Sequence, residues 1–354
     1  MLQPFTFLRP TKRARYEAML QVAPHLTRWD LDKTYLRTEF ATVRDLLRTA
    51  LERPADKRAF SGATTLLREM RAAGTGIHLL SGSPTQMRKR IEAKLRIDGV
   101  EWETMTLKSN LKNLLRLRLR AIKDQVGYKL PALLQARAKL EEQGGASTVE
   151  TLIGDDSEAD AFVYSLYADL LAGNVRPYDL AAIFDRGRIY SDHAEVALTA
   201  ARTLSHGARV ERILIHLERQ APPRDFDVFG PRLVPFYNYF QAGLVLFEDE
   251  RISAEAVWRL ASEFVFEHRF DADALGRSYR DLARRGHLVG KNIDVLKDSH
   301  ARNLASGAIA NSTELGGLMN QLDDLATFAK KQTPPPRVTT PDYEALIKNS
   351  RRRH

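Results

Sequence analysis

Short apolar runs, separated by amphipathic stretches and each ending in polar residues, constrain this chain more than any other feature. The first is about His25 to Leu31, the next Ile77 to Leu80, and another Val149 to Ile153. Between the first two, Ala63 to Ala73 reads as a helix stopped by Gly74 and Gly76, where a terminal glycine favours the left-handed turn that ends a helix. Strand, helix and strand in that order form a parallel crossover, so the spacing predicts an α/β fold. The alternation continues with a helix over Thr85 to Leu95, an extended Glu101 to Leu107, and a helix from Tyr128 to Glu142 closed by Gly144 and Gly145. After Val149 to Ile153, Ser157 and Asp160 have capping-box spacing ahead of Phe162, Val163, Leu166, Tyr167, Leu170 and Leu171, and Gly173 ends that helix.

Beyond Pro177 the pattern predicts a helix over Asp192 to Leu204, a strand over Val210 to Leu217, a proline-rich loop over Gln220 to Pro231 and one buried helix from Leu233 to Phe247. Helices over Ala254 to His268, Asp273 to Arg285 and Met319 to Lys330 make a helical C-terminal extension. The expected architecture is therefore a Rossmann-like three-layer core with a parallel sheet over 25–250 and a helical region over 251–330. A lead-in over 1–24 carries a short helix at Lys12 to Val22, a further amphipathic helix spans Glu39 to Glu52, and 331–354 reads as a flexible basic tail ending in Arg351-Arg352-Arg353.

The charge balance narrows the partners. With 54 basic residues against 45 acidic, the net charge is +9 over 354 residues, which favours phosphate esters, phospholipid surfaces or nucleic acid. The chain has no cysteine, so disulfides, thiolate nucleophiles and cysteine-ligated zinc are excluded. The first fifteen residues are too basic for a secretory signal, and no run reaches the roughly 18–20 apolar residues of a membrane span. The reading is a cytoplasmic protein. From Ser109 to Val126, Leu111, Leu115, Leu119, Ile122 and Val126 form a helical stripe beside Lys112, Arg116, Arg120 and Lys123, although Leu115 to Arg120 also alternates as a strand would. A basic amphipathic helix of this kind suits peripheral contact with an anionic membrane surface, or serves as the solvated flank of a core helix.

Chemistry enters at the ends of the strands. Asp30 and Asp32 close the first run and precede Thr34; alternate residues on an extended chain face the same way, so both acids enter one space unless they form a plain solvated turn. Ser81 follows the second run, Asp155 and Asp156 follow the third, and Lys129 opens the helix before it. Open parallel sheets bind ligands outside the carboxyl ends of their strands, where these groups converge. Acids for a hard cation, with a hydroxyl and a lysine for phosphate oxygens, suit Mg²⁺-assisted phosphoryl transfer.

Four segments in order, Asp30-Leu31-Asp32-Lys33-Thr34, Leu80-Ser81-Gly82-Ser83-Pro84, Lys129 within Gly127-Tyr128-Lys129-Leu130, and Ile153-Gly154-Asp155-Asp156, resemble the haloacid dehalogenase superfamily of phosphohydrolases and, within it, a branch of phosphatidate phosphatase catalytic domains. The resemblance implies Asp30 as nucleophile, Asp32 as general acid and base, and Thr34 as the residue that orients Asp32. It implies Ser81 and Lys129 on the phosphoryl oxygens, with Lys108 and Lys112 as competitors for the lysine role. Mg²⁺ would be held by Asp30, the Asp32 carbonyl and Asp155, with Asp156 or Asp160 assisting. Where that branch continues its final Gly-Asp with Ser-Gly-Gln, this chain has Asp156-Ser157-Glu158-Ala159-Asp160. No large cap insertion separates Asp32 from Ser81 or Ser81 from Lys129, an arrangement suited to a bulky or surface-borne lipid phosphate as well as a phosphorylated small molecule. Specific nucleic-acid recognition is not expected. The alternative is a phosphatase fold that serves as a binding protein for anionic lipid or nucleic acid. Gly286 to Asn292 is one residue short of a phosphate-binding loop and is set aside.

Overall fold

The computed structural model describes residues 23–35, 59–108, 122–335 and 340–350. The helices expected over 12–22 and 39–52, most of the basic stretch 109–126 including Lys112, and both places where a cap insertion would fall lie largely outside those residues. Six strands form one sheet: β1 (His25–Asp30), β2 (Gly76–Pro84), β3 (Thr104–Lys108), β4 (Val149–Asp155), β5 (Val210–His216) and β6 (Leu233–Phe236). Their order is β3-β2-β1-β4-β5-β6, and every neighbouring pair runs parallel. The chain thus has the Rossmann-like α/β architecture its sequence predicts. The connection reverses direction between β1 and β4, and that crevice is where such sheets place their ligands.

The helices are α1 (Ala63–Ala72), α2 (Arg88–Ile97), α3 (Ile122–Glu142), α4 (Asp160–Ala172), α5 (Pro177–Gly187), α6 (Ser191–Thr203), α7 (Tyr239–Glu248), α8 (Ala254–His268), α9 (Ala272–Arg284), α10 (Ile293–Ser306), α11 (Thr313–Lys330) and α12 (Tyr343–Ser350). One apolar cluster joins α1, α2 and α7 to the extension α8–α11 through Leu66, Ile91, Phe240, Trp258, Leu282 and Leu322. A second, on the other face, joins α3–α6 and α12 through Leu134, Leu166, Phe184, Ala197 and Ile347. The helical extension therefore continues the core on one face of the sheet. Arg259 of α8 fixes it there with a bidentate pair to Glu69 of α1, at 2.6 and 2.7 Å.

Strand β1 is buried along its whole length, because helices cover both faces of a central parallel strand. Its Arg28 donates to Glu150 of β4 at 2.7 and 3.0 Å, and Arg137 of α3 reaches the same carboxylate at 3.1 Å. Burial alone would raise the Glu150 carboxyl; the two guanidinium groups reverse that and hold it below the usual range.

Three expectations change. The run Leu233 to Phe247 is β6 followed by α7. Asn238 sits in extended backbone and its side chain accepts from Gln241 N at 3.0 Å, an N-cap that starts the helix afresh. Lys129 does not open its helix, since α3 is continuous from Ile122 through Gly127. A 3-10 turn over Pro223–Phe229 lies within the expected proline-rich loop, α5 covers a segment assigned no element, and α10 adds a helix to the expected helical region. The expected flexible tail contains α12, whose buried Tyr343 donates to Asp169 at 2.5 Å. No helix among the described residues is long and apolar enough to cross a membrane.

Candidate active site

The register of the three central strands sets the geometry. Asp30 pairs with Leu80 of β2, while Trp29 pairs with Ile153 of β4, so the carboxyl ends of β1, β2 and β4 finish side by side. After β1 the chain turns through Lys33 at φ 59°, a left-handed conformation costly for a side-chain-bearing residue. Tyr35 N closes the turn on Leu31 O at 3.2 Å. Trp29 stacks on Tyr239 at 5.8 Å between centroids, and the Tyr239 hydroxyl donates to Thr34 O at 2.5 Å. Packing from α7 thus fixes the loop that carries the first two acids.

That turn returns the Thr34 hydroxyl to the sheet, where it lies 3.3 Å from Asp155 Oδ2 and 3.5 Å from Asp30 Oδ2. Thr34 accordingly bridges two carboxylates across the switch point rather than orienting Asp32. Asp32 is held from β2: Ser81 Oγ donates to its Oδ2 at 2.6 Å, and Ser83 Oγ lies 3.0 and 3.2 Å from its two oxygens. Ser81 Oγ also accepts from Ser83 N at 2.9 Å. The hydroxyl expected on a phosphoryl oxygen is therefore engaged with Asp32. Ser83 is a site residue that the sequence reading passed over.

Asp30, Asp155 and Asp160 place carboxylate oxygens within 4.8 Å of one another, and all three are fully buried. Asp160 gets there because Gly154 has no side chain; a Cβ on Gly154 would stand 2.7 Å from the Cβ of Asp160. Asp160 Oδ2 accepts from Asp155 N at 3.1 Å. It begins α4 without the predicted capping box: the N-cap is Ala159, with no side-chain cap, and Ser157 Oγ is buried without a partner among the described residues. Asp155 Oδ1 instead accepts from Ser157 N and Glu158 N at 2.6 and 3.1 Å.

Asp156 does not join this group. Its Oδ1 accepts from Arg219 N at 2.8 Å and its Oδ2 from Ala221 N at 3.0 Å, so it ties the β4 end to the loop after β5. Of the two acids left open by sequence, Asp160 is the one at the cluster. Asp32 also directs its carboxylate toward β2 rather than into the triad.

Lys129 is buried and lies 3.3 Å from Asp30 and 2.7 Å from Glu158, with Asp160 as a third and closer partner. Lys108 ends the outermost strand of its side of the sheet, with β2 between it and β1. Burial alone would lower the Lys129 ammonium, but Asp160, Asp30 and Glu158 reverse this and hold it well above its ordinary range. Burial pushes the Asp30 and Asp155 carboxyls well up. Lys129 opposes this, and the neighbouring acids add to it. Asp32 is raised by burial too, against the Ser81 and Ser83 hydrogen bonds. Asp30 Oδ1 is buried and makes no hydrogen bond among the described residues, although Lys129 lies near it. Oxygen donors at this spacing, one without a hydrogen bond, are suited to a hard divalent cation.

Other polar features have internal uses. In a second group, Glu263, Glu267 and His268, Glu263 is engaged at the start of α1, where it accepts from Gly62 N at 2.7 Å and Thr65 Oγ1 at 2.5 Å. The loop over 286–292 offers the amides of Val289, Gly290 and Lys291 to Glu248 at 2.9, 2.8 and 3.1 Å, so it cradles a carboxylate of this chain. A cleft of about 420 Å³ beside β6, lined by Phe226, Arg285, His287 and Pro334 among others, touches none of the site residues.

Comparison of the chain with protein-family models, with curated proteins and with solved structures gives no match.

Proposed function

We propose that this chain is a Mg²⁺-dependent phosphatase of the haloacid dehalogenase type, hydrolysing a phosphate monoester through an aspartyl-phosphate on Asp30. The observation that carries the reading is the packing of Asp30, Asp155 and Asp160 within 4.8 Å at the switch point. Lys129 lies against two of these carboxylates, but one ammonium does not balance three acids in a dry site, and a divalent cation would offset the remaining repulsion. Those three carboxylates would hold Mg²⁺, which when bound supplies charge neutralisation and polarises a phosphoryl oxygen.

The remaining chemistry belongs to the chain itself. Asp30 attacks phosphorus as the bond to the ester oxygen breaks. Asp32, raised by burial and so suited to carry a proton, gives that proton to the leaving alcohol. It then takes a proton from the water that attacks the aspartyl-phosphate, releasing orthophosphate and restoring Asp30. Lys129 offsets charge on the phosphoryl oxygens, while Ser81 and Ser83 aim Asp32.

Asp30→Asn should abolish Mg²⁺-dependent phosphate release from 4-nitrophenyl phosphate while leaving the far-ultraviolet spectrum intact. Full residual activity would sink the reading. Phosphatidate in vesicles, set against soluble sugar phosphates, separates a lipid phosphate substrate from a free one.

A further inference from the structure

We propose that Glu158 is an exchangeable partner of Lys129, holding the lysine in the resting site and competing with orthophosphate for it after turnover. The inference rests on the phosphatase reading above. An ammonium group has three donors, and Lys129 Nζ is surrounded by three carboxylates: Asp30, Glu158 and Asp160. With Asp160 and Glu158 close against it and Asp30 at 3.3 Å accepting no hydrogen bond from it, an incoming phosphoryl group meets one open donor and gains a second only by displacing a carboxylate.

The three are not equivalent. Asp30 and Asp160 have side chains that are 0% exposed and belong to the triad, whereas the Glu158 side chain is 18% exposed. Among the described residues its carboxylate has no further hydrogen bond or ion pair beside the 2.7 Å contact to Lys129. Its backbone is fixed independently, because Glu158 N and Ser157 N both donate to Asp155 Oδ1. The side chain can therefore rotate away without moving the loop that carries Asp155.

Glu158 thus does two things. In the resting site it pairs a cation that would otherwise be buried among acids with one exchangeable position left open. After hydrolysis, when Asp30 is a free carboxylate again, Glu158 returns to Lys129 and weakens the hold on orthophosphate. A tethered competitor acts at high effective concentration, so it limits product inhibition.

The test compares the wild type with Glu158→Gln and Glu158→Ser in saturating Mg²⁺. Calorimetric titration gives the affinity for inorganic phosphate, and hydrolysis of 4-nitrophenyl phosphate gives Ki for phosphate, KM and kcat. Both variants should bind phosphate more tightly, by on the order of tenfold, with Ki and KM falling together. Damage to the fold would weaken phosphate binding, so tightening cannot arise from misfolding, and melting curves identify a damaged variant. Equal or weaker phosphate binding in variants that melt like the wild type overturns the role of Glu158 alone. Wild-type protein that binds no phosphate in Mg²⁺ overturns this inference together with the phosphatase reading.

Discussion

The carboxylate of Asp160 rests on the bare backbone of Gly154, where an added Cβ would approach the Asp160 Cβ to 2.7 Å. Gly154 needs no special backbone angle here; what it supplies is room. Alanine at 154 should push Asp160 off Asp155 N and out of the triad. Displacements of about 1 Å in a catalytic group cost on the order of a hundredfold in rate. We expect Gly154→Ala to lose about that much activity and to bind Mn²⁺ at least tenfold more weakly, measured by steady-state kinetics and electron paramagnetic resonance titration.

Asp156 and Asp160 should separate cleanly. Asp160→Asn is expected to weaken divalent-cation binding by about 10–100-fold. Asp156→Asn keeps one acceptor oxygen and turns a donor amide group toward the other of Arg219 N and Ala221 N, so it should lower stability by about 1–2 kcal/mol with little effect on metal affinity. Chemical denaturation and metal titration of both variants check this. Equal metal defects would remove the distinction.

Ser83→Ala deletes one of the two hydroxyls that orient Asp32. Because the Ser83 hydrogen bond favours the charged carboxylate, its loss raises the Asp32 carboxyl further. The proposed general-acid step needs Asp32 protonated, so under that mechanism the alkaline limb of the kcat profile should move to higher pH. A drop in kcat of about tenfold should accompany it. A pH–rate series on the two proteins provides the measurement.

Stability should fall on mild acidification, for a reason remote from the site. His25 is buried between the Thr75 and Thr151 hydroxyls at 3.1 and 3.0 Å, and burial, with Arg251, pushes it down from 6.5 to about 4. The unfolded chain takes up this proton below 6.5, while the native chain does so only near 4. Native stability is therefore lost as pH drops through that window, by about 3 kcal/mol in total. His25→Gln can still bond to both threonines and should flatten that part of the curve in urea melts taken from pH 7.5 to 4.

Much of this was legible in the sequence. Strands β1, β2, β4 and β5 announced themselves as apolar runs, and the crossover rule converted them into a parallel sheet. The join between β6 and α7 was hidden because Leu233 to Phe247 is buried almost throughout, and a continuously apolar run carries no period. Pro235 and the capping Asn238 were the available signals, since proline inside that helix would break it. Asp156 looked like the partner of Asp155 by adjacency, yet successive residues at a strand end point opposite ways. Asp160 reaches the site only because α4 begins where it does over a glycine. The tail misled by composition: its prolines and arginines hide Tyr343, whose burial against Asp169 anchors a helix.

The buried charges of Arg28, Glu150 and Arg137 have a consequence beyond their own pairing. They clamp β1, β4 and α3 together two residues before Asp30, five before Asp155 and eight after Lys129 along the same strands and helix. A slip of one residue between β1 and β4 would strand a guanidinium without its carboxylate, a cost of several kcal/mol. The same slip would draw the two aspartates out of step. The trio therefore works as a ruler, setting just behind the acids the alignment that they need. A designer transplanting the acids into another parallel sheet would have to carry this gauge along with them.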